Sequence, residues 1–264
     1  MTSTGPTIHI DMVSKNHKVQ VAADIDAISR AAAETIVKHI SESLQTHDLY
    51  TIALSGGSTP RRLYELLAND AALQQQIPWD RIHVFWGDER HVPPHHPDSN
   101  YRMADHALLS KVPIPSTNIH RIRAEDSDAD RAAADYEREI RRVFKIDSGH
   151  MPRFNCVLLG MGPDGHTASL FPGTHALEET KRLVVANWIE KFQSSRITLT
   201  PSAINNADRI IFLVSGEEKA DTLKAVLEDD IESNRYPVQR IQPSDGKLIW
   251  FLDQSAAGRL ALSK

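Results

Sequence analysis

Four short apolar runs in this chain each stop at a glycine-bearing polar turn, and that repeated arrangement limits what the chain can fold into. Tyr50–Leu54 runs into S-G-G-S-T-P, residues 81–86 into G-D-E-R, residues 154–159 into G-M-G-P-D-G-H, and Arg209–Val214 into S-G-E-E-K. Residues 24–45 carry Ile28, Ala32, Ile36, Ile40 and Leu44 at i, i+4 spacing, the stripe of a helix with one buried face. Residues 61–68, a stretch beginning near Tyr101, residues 127–144 and residues 217–228 read as further helices. Residues 8–13, 182–186, 196–199 and 248–252 read as further strands, with a short helix closing the chain. Strands alternating with helices predict a mostly parallel sheet flanked by helices, an α/β fold. With 264 residues and no linker-like stretch, residues 1–264 read as a single domain.

Composition narrows the classes of function. A formal charge of −5 without a basic block argues against nucleic acid as the partner. Functional cations are then local tools for a small anion. The one cysteine, Cys156, lies inside an apolar run and reads as a buried structural thiol, so no disulfide within the chain is expected. The opening residues M-T-S-T-G-P-T lack a charged region followed by an apolar one, and no apolar run approaches the roughly 18 residues of a membrane span. A soluble, cytoplasmic protein without a membrane partner is the expectation.

The loop after residues 154–159 holds the strongest chemistry. It presents one carboxylate, Asp164, and one imidazole, His166, where an apolar strand exits into glycines. Histidine is the side chain best placed to take a proton near neutral pH, and a nearby carboxylate orients its ring. The following T-A-S-L reads as a helix start. Residues 160–165 also spell G-x-G-x-x-G, the dinucleotide fingerprint. Pro163 removes an N–H that a pyrophosphate cradle needs, and no strand bearing an acid follows about 20 residues on, so that reading is set aside.

Ser55, Gly56, Gly57, Ser58 and Thr59 lie between a strand and a helix, with Ser58 or Thr59 expected to cap it and Pro60 in its first turn. Such a segment serves equally as a tight turn or as a phosphate cradle at a helix N-terminus. It is not a P-loop, since the lysine signature is missing, and Pro60 spoils the match to a G-x-S-x-G nucleophile elbow at Ser58. Asp88, Glu89 and Arg90 leave another strand end, where the carboxylates suit base, ligand or anchor and Arg90 suits an anion clamp. Lys219, beside Gly216 at a helix start, and Arg196, opening R-I-T-L-T, add cations. Taken alone, each of those two reads as an ordinary surface residue. His91, His95 and His96, with Asp88 and Asp98, invite a metal, yet H-x-x-x-H-H spacing suits ligation on a helix and Pro93, Pro94 and Pro97 make this a loop. No metal or other cofactor is therefore expected.

Together, L-S-G-G-S-T-P (54–60), W-G-D-E-R-x-V-P (86–93), D-S-N-Y (98–101), L-G-M-G-P-D-G-H-T-A-S-L-F-P (159–172), R-I-T-L-T (196–200) and S-G-E-E-K-A (215–220) resemble, in order, the 6-phosphogluconolactonase family. The resemblance implies a sugar-phosphate isomerase-like, modified Rossmann architecture shared with glucosamine-6-phosphate deaminase. It implies hydrolysis of 6-phospho-D-glucono-1,5-lactone to 6-phospho-D-gluconate in the oxidative pentose phosphate pathway, without a covalent intermediate. His166 and Asp164 become the expected catalytic pair, and residues 55–59, Asp88, Arg90, Arg196 and Lys219 the expected binding groups for a phosphorylated sugar lactone. The deaminase pattern places a glutamate five residues after the histidine; Phe171 stands there instead. The related sugar-phosphate sensors normally carry a DNA-binding segment, and the first 50 residues show no basic clustering. A monomer is expected, with a weak homodimer as the alternative.

Overall fold

The apolar runs sort into two sheets, and what decides their place is which faces are covered. A computed structural model describes residues 8–10, 17–232 and 234–261. In chain order the strands are β1 (Ile8–Ile10), β2 (His17–Ala22), β3 (Tyr50–Leu54), β4 (Ile82–Trp86), β5 (Asp88–Arg90), β6 (Cys156–Leu159), β7 (Val184–Ile189), β8 (Ser194–Leu199), β9 (Arg209–Val214) and β10 (Lys247–Asp253). The α-helices are α1 (Ile25–Ser43), α2 (Ser58–Asn69), α3 (Ala71–Gln74), α4 (Asn100–Ala107), α5 (Ala129–Phe144), α6 (Pro201–Asn205) and α7 (Ala220–Glu228).

The main sheet has the order β1-β2-β10-β9-β6-β3-β4. All neighbours in it run parallel except β1, which pairs antiparallel with β2 at the edge. Its central strands are mostly apolar because both faces are covered: every residue of β3 and of β6 is buried. Helix α1 packs on α2 and on β10, while Phe144 of α5 meets Phe85 and Phe154 edge-on or tilted. The second sheet is small and antiparallel, in the order β5-β8-β7.

From β3 the chain first moves outward to β4, then returns to β6 on the other side and continues through β9 to β10. The order of strands thus reverses between β3 and β6. In an open α/β sheet the crevice outside the carboxyl ends at such a point is where ligands bind.

Several expectations need correction. Residues 17–22 form a strand that the sequence reading passed over, although Val19 and Val21 alternate with polar neighbours. Of the strand expected over residues 8–13, residues 8–10 are formed and residues 11–13 lie outside the described residues. Asp88 to Arg90 is a strand, β5, rather than a loop; its ladder partner β8 is more than a hundred residues away, out of reach of any local pattern. T-A-S-L does not begin a helix. Thr167 and Leu170 bridge across a tight turn with Ala168 at φ 47°, and the side chains of Thr167 and Ser169 bond Gly160 O and Asp88 Oδ2 instead of the local backbone. Residues 254–260 are turns rather than a terminal helix, with Asp253 accepting from Ala256 N. Neither Ser58 nor Thr59 caps α2: both are helical, and the cap is Gly57 at φ 101°, a left-handed conformation that a side chain disfavours.

The strands that reach the crevice are finished by side chains. The buried Tyr64 hydroxyl accepts from Ser55 N and donates to Ser55 O, both at 2.9 Å, just past the end of β3. Tyr136 does the same for Trp86 at the end of β4, at 2.8 and 3.0 Å. Tyr64→Phe leaves the shape intact but orphans two buried backbone groups. A loss of about 1–3 kcal/mol is expected in urea unfolding, and an unchanged midpoint would show that Ser55 finds other partners.

Candidate active site

Loops from the ends of β3, β4, β6 and β9 enclose a cavity of about 190 Å³. Ser55 to Pro60, Asp88, Arg90, Asn100, Gly160, His166 and Lys219 are among the residues lining it. Of the site residues expected from the sequence, Arg196 and Asp164 are missing from the wall; Arg196 stands opposite Arg90 in the β5–β8 ladder. Asp164 stands behind His166.

His166 is oriented from two sides. Its Nδ1 lies 2.5 Å from Asp164 Oδ1, and that carboxylate also accepts from His166 N. The bond from the ring holds the Asp164 carboxyl well below the usual carboxylate range, with Lys191 Nζ 3.4 Å away adding to the effect. An ionised Asp164 requires Nδ1 to donate, so in the neutral ring Nε2 carries the lone pair. Among the described residues Nε2 has no hydrogen-bond partner. Phe171 lies flat against the imidazole, 4.1 Å between centroids and 17° between planes.

The glycine loop makes this arrangement possible. A Cβ on Gly162 would sit 2.2 Å from Cε1 and Nδ1 of His166, so only glycine lets the ring fold back onto the loop. The loop spends its own amides internally: Gly162 N donates to His166 O at 2.9 Å and Gly165 N to Gly162 O at 3.0 Å. No α-helix follows it before β7, unlike the strand–loop–helix of a dinucleotide fingerprint.

Cations gather on the opposite rim. Helix α2 opens on the cavity without a side-chain cap, leaving its first N–H groups and positive dipole end directed there. Lys219, most of its side chain buried, bonds Ser215 O at 2.8 Å. Arg90 is held through Nη1 by Asp98 O. Arg90 and Arg196 each bury an Nε–H that finds no acceptor among the described residues. Burial, and then the charge of Arg90, lowers the Arg196 guanidinium from its ordinary value. Two half-buried guanidiniums side by side call for an anion between or beside them.

The two acids of the β4 exit are committed within the protein. Asp88 takes Ser169 Oγ at 2.6 Å on one oxygen, while Asn100 Nδ2 approaches its other oxygen and its carbonyl. Glu89 accepts from Arg90 N, Asn100 N, Tyr101 N and Ser99 Oγ at 2.7–3.0 Å. It therefore anchors the start of α4, while burial pushes its carboxyl up. Asn100 and Lys191 are site residues that the sequence reading did not single out. D-S-N-Y was in view as a motif, but nothing in it said which member reaches the cavity. Lys191 looks like any exposed lysine until β7 and β8 are folded together. His91 Nε2 is engaged with Asp126 O at 2.6 Å, and His96 stands 3.8 Å from Asp98.

A family model described as glucosamine-6-phosphate isomerases/6-phosphogluconolactonase matches residues 23–250. A 6-phosphogluconolactonase of Synechocystis is 42% identical over 243 residues, which cover 92% of this chain and 98% of that protein. The solved 6-phosphogluconolactonase from Trypanosoma cruzi superposes with a TM-score of 0.84 at 32% identity, covering 94% of this chain and 98% of that one. A monomeric glucosamine-6-phosphate deaminase superposes with a TM-score of 0.77 at 18% identity, covering 91% and 99%, a likeness of fold.

Gly162→Ala tests the geometry without reference to any reaction. The added methyl must displace the His166 ring, so the hydrogen-bonded Nδ1 proton expected in the wild-type NMR spectrum should disappear while the far-UV spectrum stays unchanged. Persistence of that proton would mean that the loop yields rather than the ring.

Proposed function

The chain belongs to the glucosamine-6-phosphate isomerase/6-phosphogluconolactonase family, and we propose that it hydrolyses 6-phospho-D-glucono-1,5-lactone to 6-phospho-D-gluconate in the oxidative pentose phosphate pathway. The observation that carries this reading is the oriented pair Asp164–His166, whose free Nε2 belongs to a ring lining a cavity rimmed by cations. Phe171 supports it further, since it stacks on His166 where a deaminase would need a carboxylate.

A six-membered lactone is an activated ester that opens without a covalent enzyme intermediate. His166 Nε2 takes a proton from water as the water oxygen bonds to the lactone carbonyl carbon. The carbonyl electrons move onto oxygen, forming a tetrahedral oxyanion. As they return, the bond to the ring oxygen breaks, and the imidazolium gives its proton to that leaving oxygen. The new carboxylic acid then ionises to solvent, leaving His166 neutral for another turnover. Asp164 stays ionised, fixes the tautomer and offsets the positive charge while the ring holds the proton. General-base assistance of this kind contributes about 10²–10⁴-fold.

The phosphate is assigned to the cationic rim: the open end of α2 with Ser58 and Thr59, Arg90, Arg196 and Lys219. Asp88 through Oδ1, which Asn100 Nδ2 meets only at 3.3 Å, the Ser55 hydroxyl and the 56–57 backbone are assigned to sugar hydroxyls. We further propose that the chain works as a monomer in the cytoplasm. Among the described residues no helix is long and apolar enough to cross a membrane.

Freshly generated phosphorylated lactone, followed with its spontaneous hydrolysis subtracted and a chelator present, should disappear rapidly, whereas unphosphorylated gluconolactone should not. No rate above background, with phosphogluconate still bound, would replace the enzyme reading by that of a sugar-phosphate sensor. His166→Ala is expected to lower kcat by about 10²–10⁴-fold with phosphogluconate binding retained. Lys219→Ala should act mainly on KM; an unchanged KM would remove Lys219 from the phosphate site.

A further inference from the structure

We infer that Phe171 is a positioning residue for His166, holding the imidazole in the plane from which Nε2 addresses water. The inference rests on the base role proposed for His166. One hydrogen bond to Asp164 fixes a point on the ring but leaves it free to turn about that bond. The Gly162 backbone and the flat face of Phe171 close off that rotation. Phe171 offers no hydrogen bond, so it restrains the ring without giving Nε2 a competing partner.

Phe171 is itself placed independently of the histidine. Ser169 is tied to Asp88 Oδ2, to Thr198 Oγ1 and, through its carbonyl, to Asn187 Nδ2. Thr174 closes back on Phe171 O through both its amide and its hydroxyl, the latter at 2.8 Å. The edge contact of Phe192 with Phe171, 5.8 Å between centroids at 78°, secures the ring from the side. Phe192 in turn carries Arg196 and Lys191 within 5.1 and 5.6 Å of its ring centre. One aromatic row therefore joins the base to two cations of the site.

The stacked geometry also discriminates between the two states of the base. A neutral imidazole stacks on the phenyl face through dispersion alone, whereas a cation over a ring face is attracted to its quadrupole as well. The contact becomes more favourable once His166 has taken the proton from water. An interaction stronger at that stage than before it raises kcat rather than lowering KM.

The test compares Phe171→Leu, which keeps an apolar side chain and removes the face, with Phe171→Tyr, which keeps the ring. Phe171→Leu should lower kcat by about 10–100-fold with KM changed less than about threefold, the cost of a misplaced catalytic group. Phe171→Tyr should recover most of that loss. The imidazole ¹⁵N signals of His166 should report a single Nδ1–H tautomer in the wild type and in Phe171→Tyr, and lose that definition in Phe171→Leu. A Phe171→Leu enzyme with kcat within twofold of wild type overturns the inference, as does an equal loss in Phe171→Tyr, which marks a packing role only. Should Phe171→Leu fail to fold, Phe171→Met enters the same comparison. His166→Ala is measured alongside: near-normal turnover there removes the base assignment itself, whereas an inactive His166→Ala with a normal Phe171→Leu removes only the role of the stack.

Discussion

Every strand that feeds the cavity must satisfy the backbone groups at its last residues without filling the space beyond them, and the rest of the site depends on how this is done. At the carboxyl edge of a parallel sheet the ladder stops while the chain continues into a loop, so buried N–H and C=O groups need other partners. Tyr64 supplies both for Ser55, and Tyr136 supplies both for Trp86. Thr167 Oγ1 donates to Gly160 O beyond β6, and Asp253 at the end of β10 accepts from Ser215 Oγ and Gly216 N beyond β9. Four strand ends are thus closed by side chains arriving from beneath or beside the crevice. Their loops are free to turn functional groups toward one another.

Charge is distributed to the same end. The chain is acidic overall, at −5, yet its cavity collects an open helix end, Lys219 and Arg90, with Arg196 beside them. Like charges directly opposite in an antiparallel ladder destabilise the pairing, and Arg90 and Arg196 occupy such a pair. Their buried Nε–H groups without acceptors add to that cost. An anionic ligand such as the phosphate proposed here would offset that cost, since its oxygens can pair with guanidiniums bidentately. Negative charge is placed with equal care: Glu89 is consumed in anchoring α4, Asp88 holds the 167–170 turn through Oδ2, and Asp164 is engaged by His166. The acids therefore build the frame, and the cations face the space.

Much of this was legible in the sequence because apolar runs and the glycines that end them are local signals. The central strands, the long helices α1 and α5, the loop carrying Asp164 and His166, and the helix start carrying Lys219 all follow from them. What was illegible depends on distant partners. Nothing near Asp88 to Arg90 announces a strand, because its ladder is completed by β8. T-A-S-L has acceptable helix formers, and Asp88, Gly160 and Thr198, none adjacent in sequence, draw its side chains and the Ser169 amide into a turn. The N-cap of α2 was misplaced for the opposite reason. Two good capping residues stood next to a glycine, and the backbone took the glycine, which left their hydroxyls unspent at the cavity.

The fold itself does not choose the reaction, since a sheet of this order serves enzymes of different chemistry and the choice is made by side chains at the strand ends. Position 171 shows how small that choice can be. A carboxylate beside His166 would offer the ring a second hydrogen-bond partner and a second proton acceptor, useful where a sugar must be opened and isomerised. An aromatic face offers neither. Among the described residues it leaves Asp164 as the sole carboxylate bonded to His166 and leaves Nε2 unpartnered, which in the proposed reaction limits the pair to moving one proton between water and a leaving oxygen. Lactone hydrolysis asks for no more than that. The phenyl ring thus narrows the chemistry of the site by withholding a functional group, while the same backbone turn keeps the residue in contact with the base.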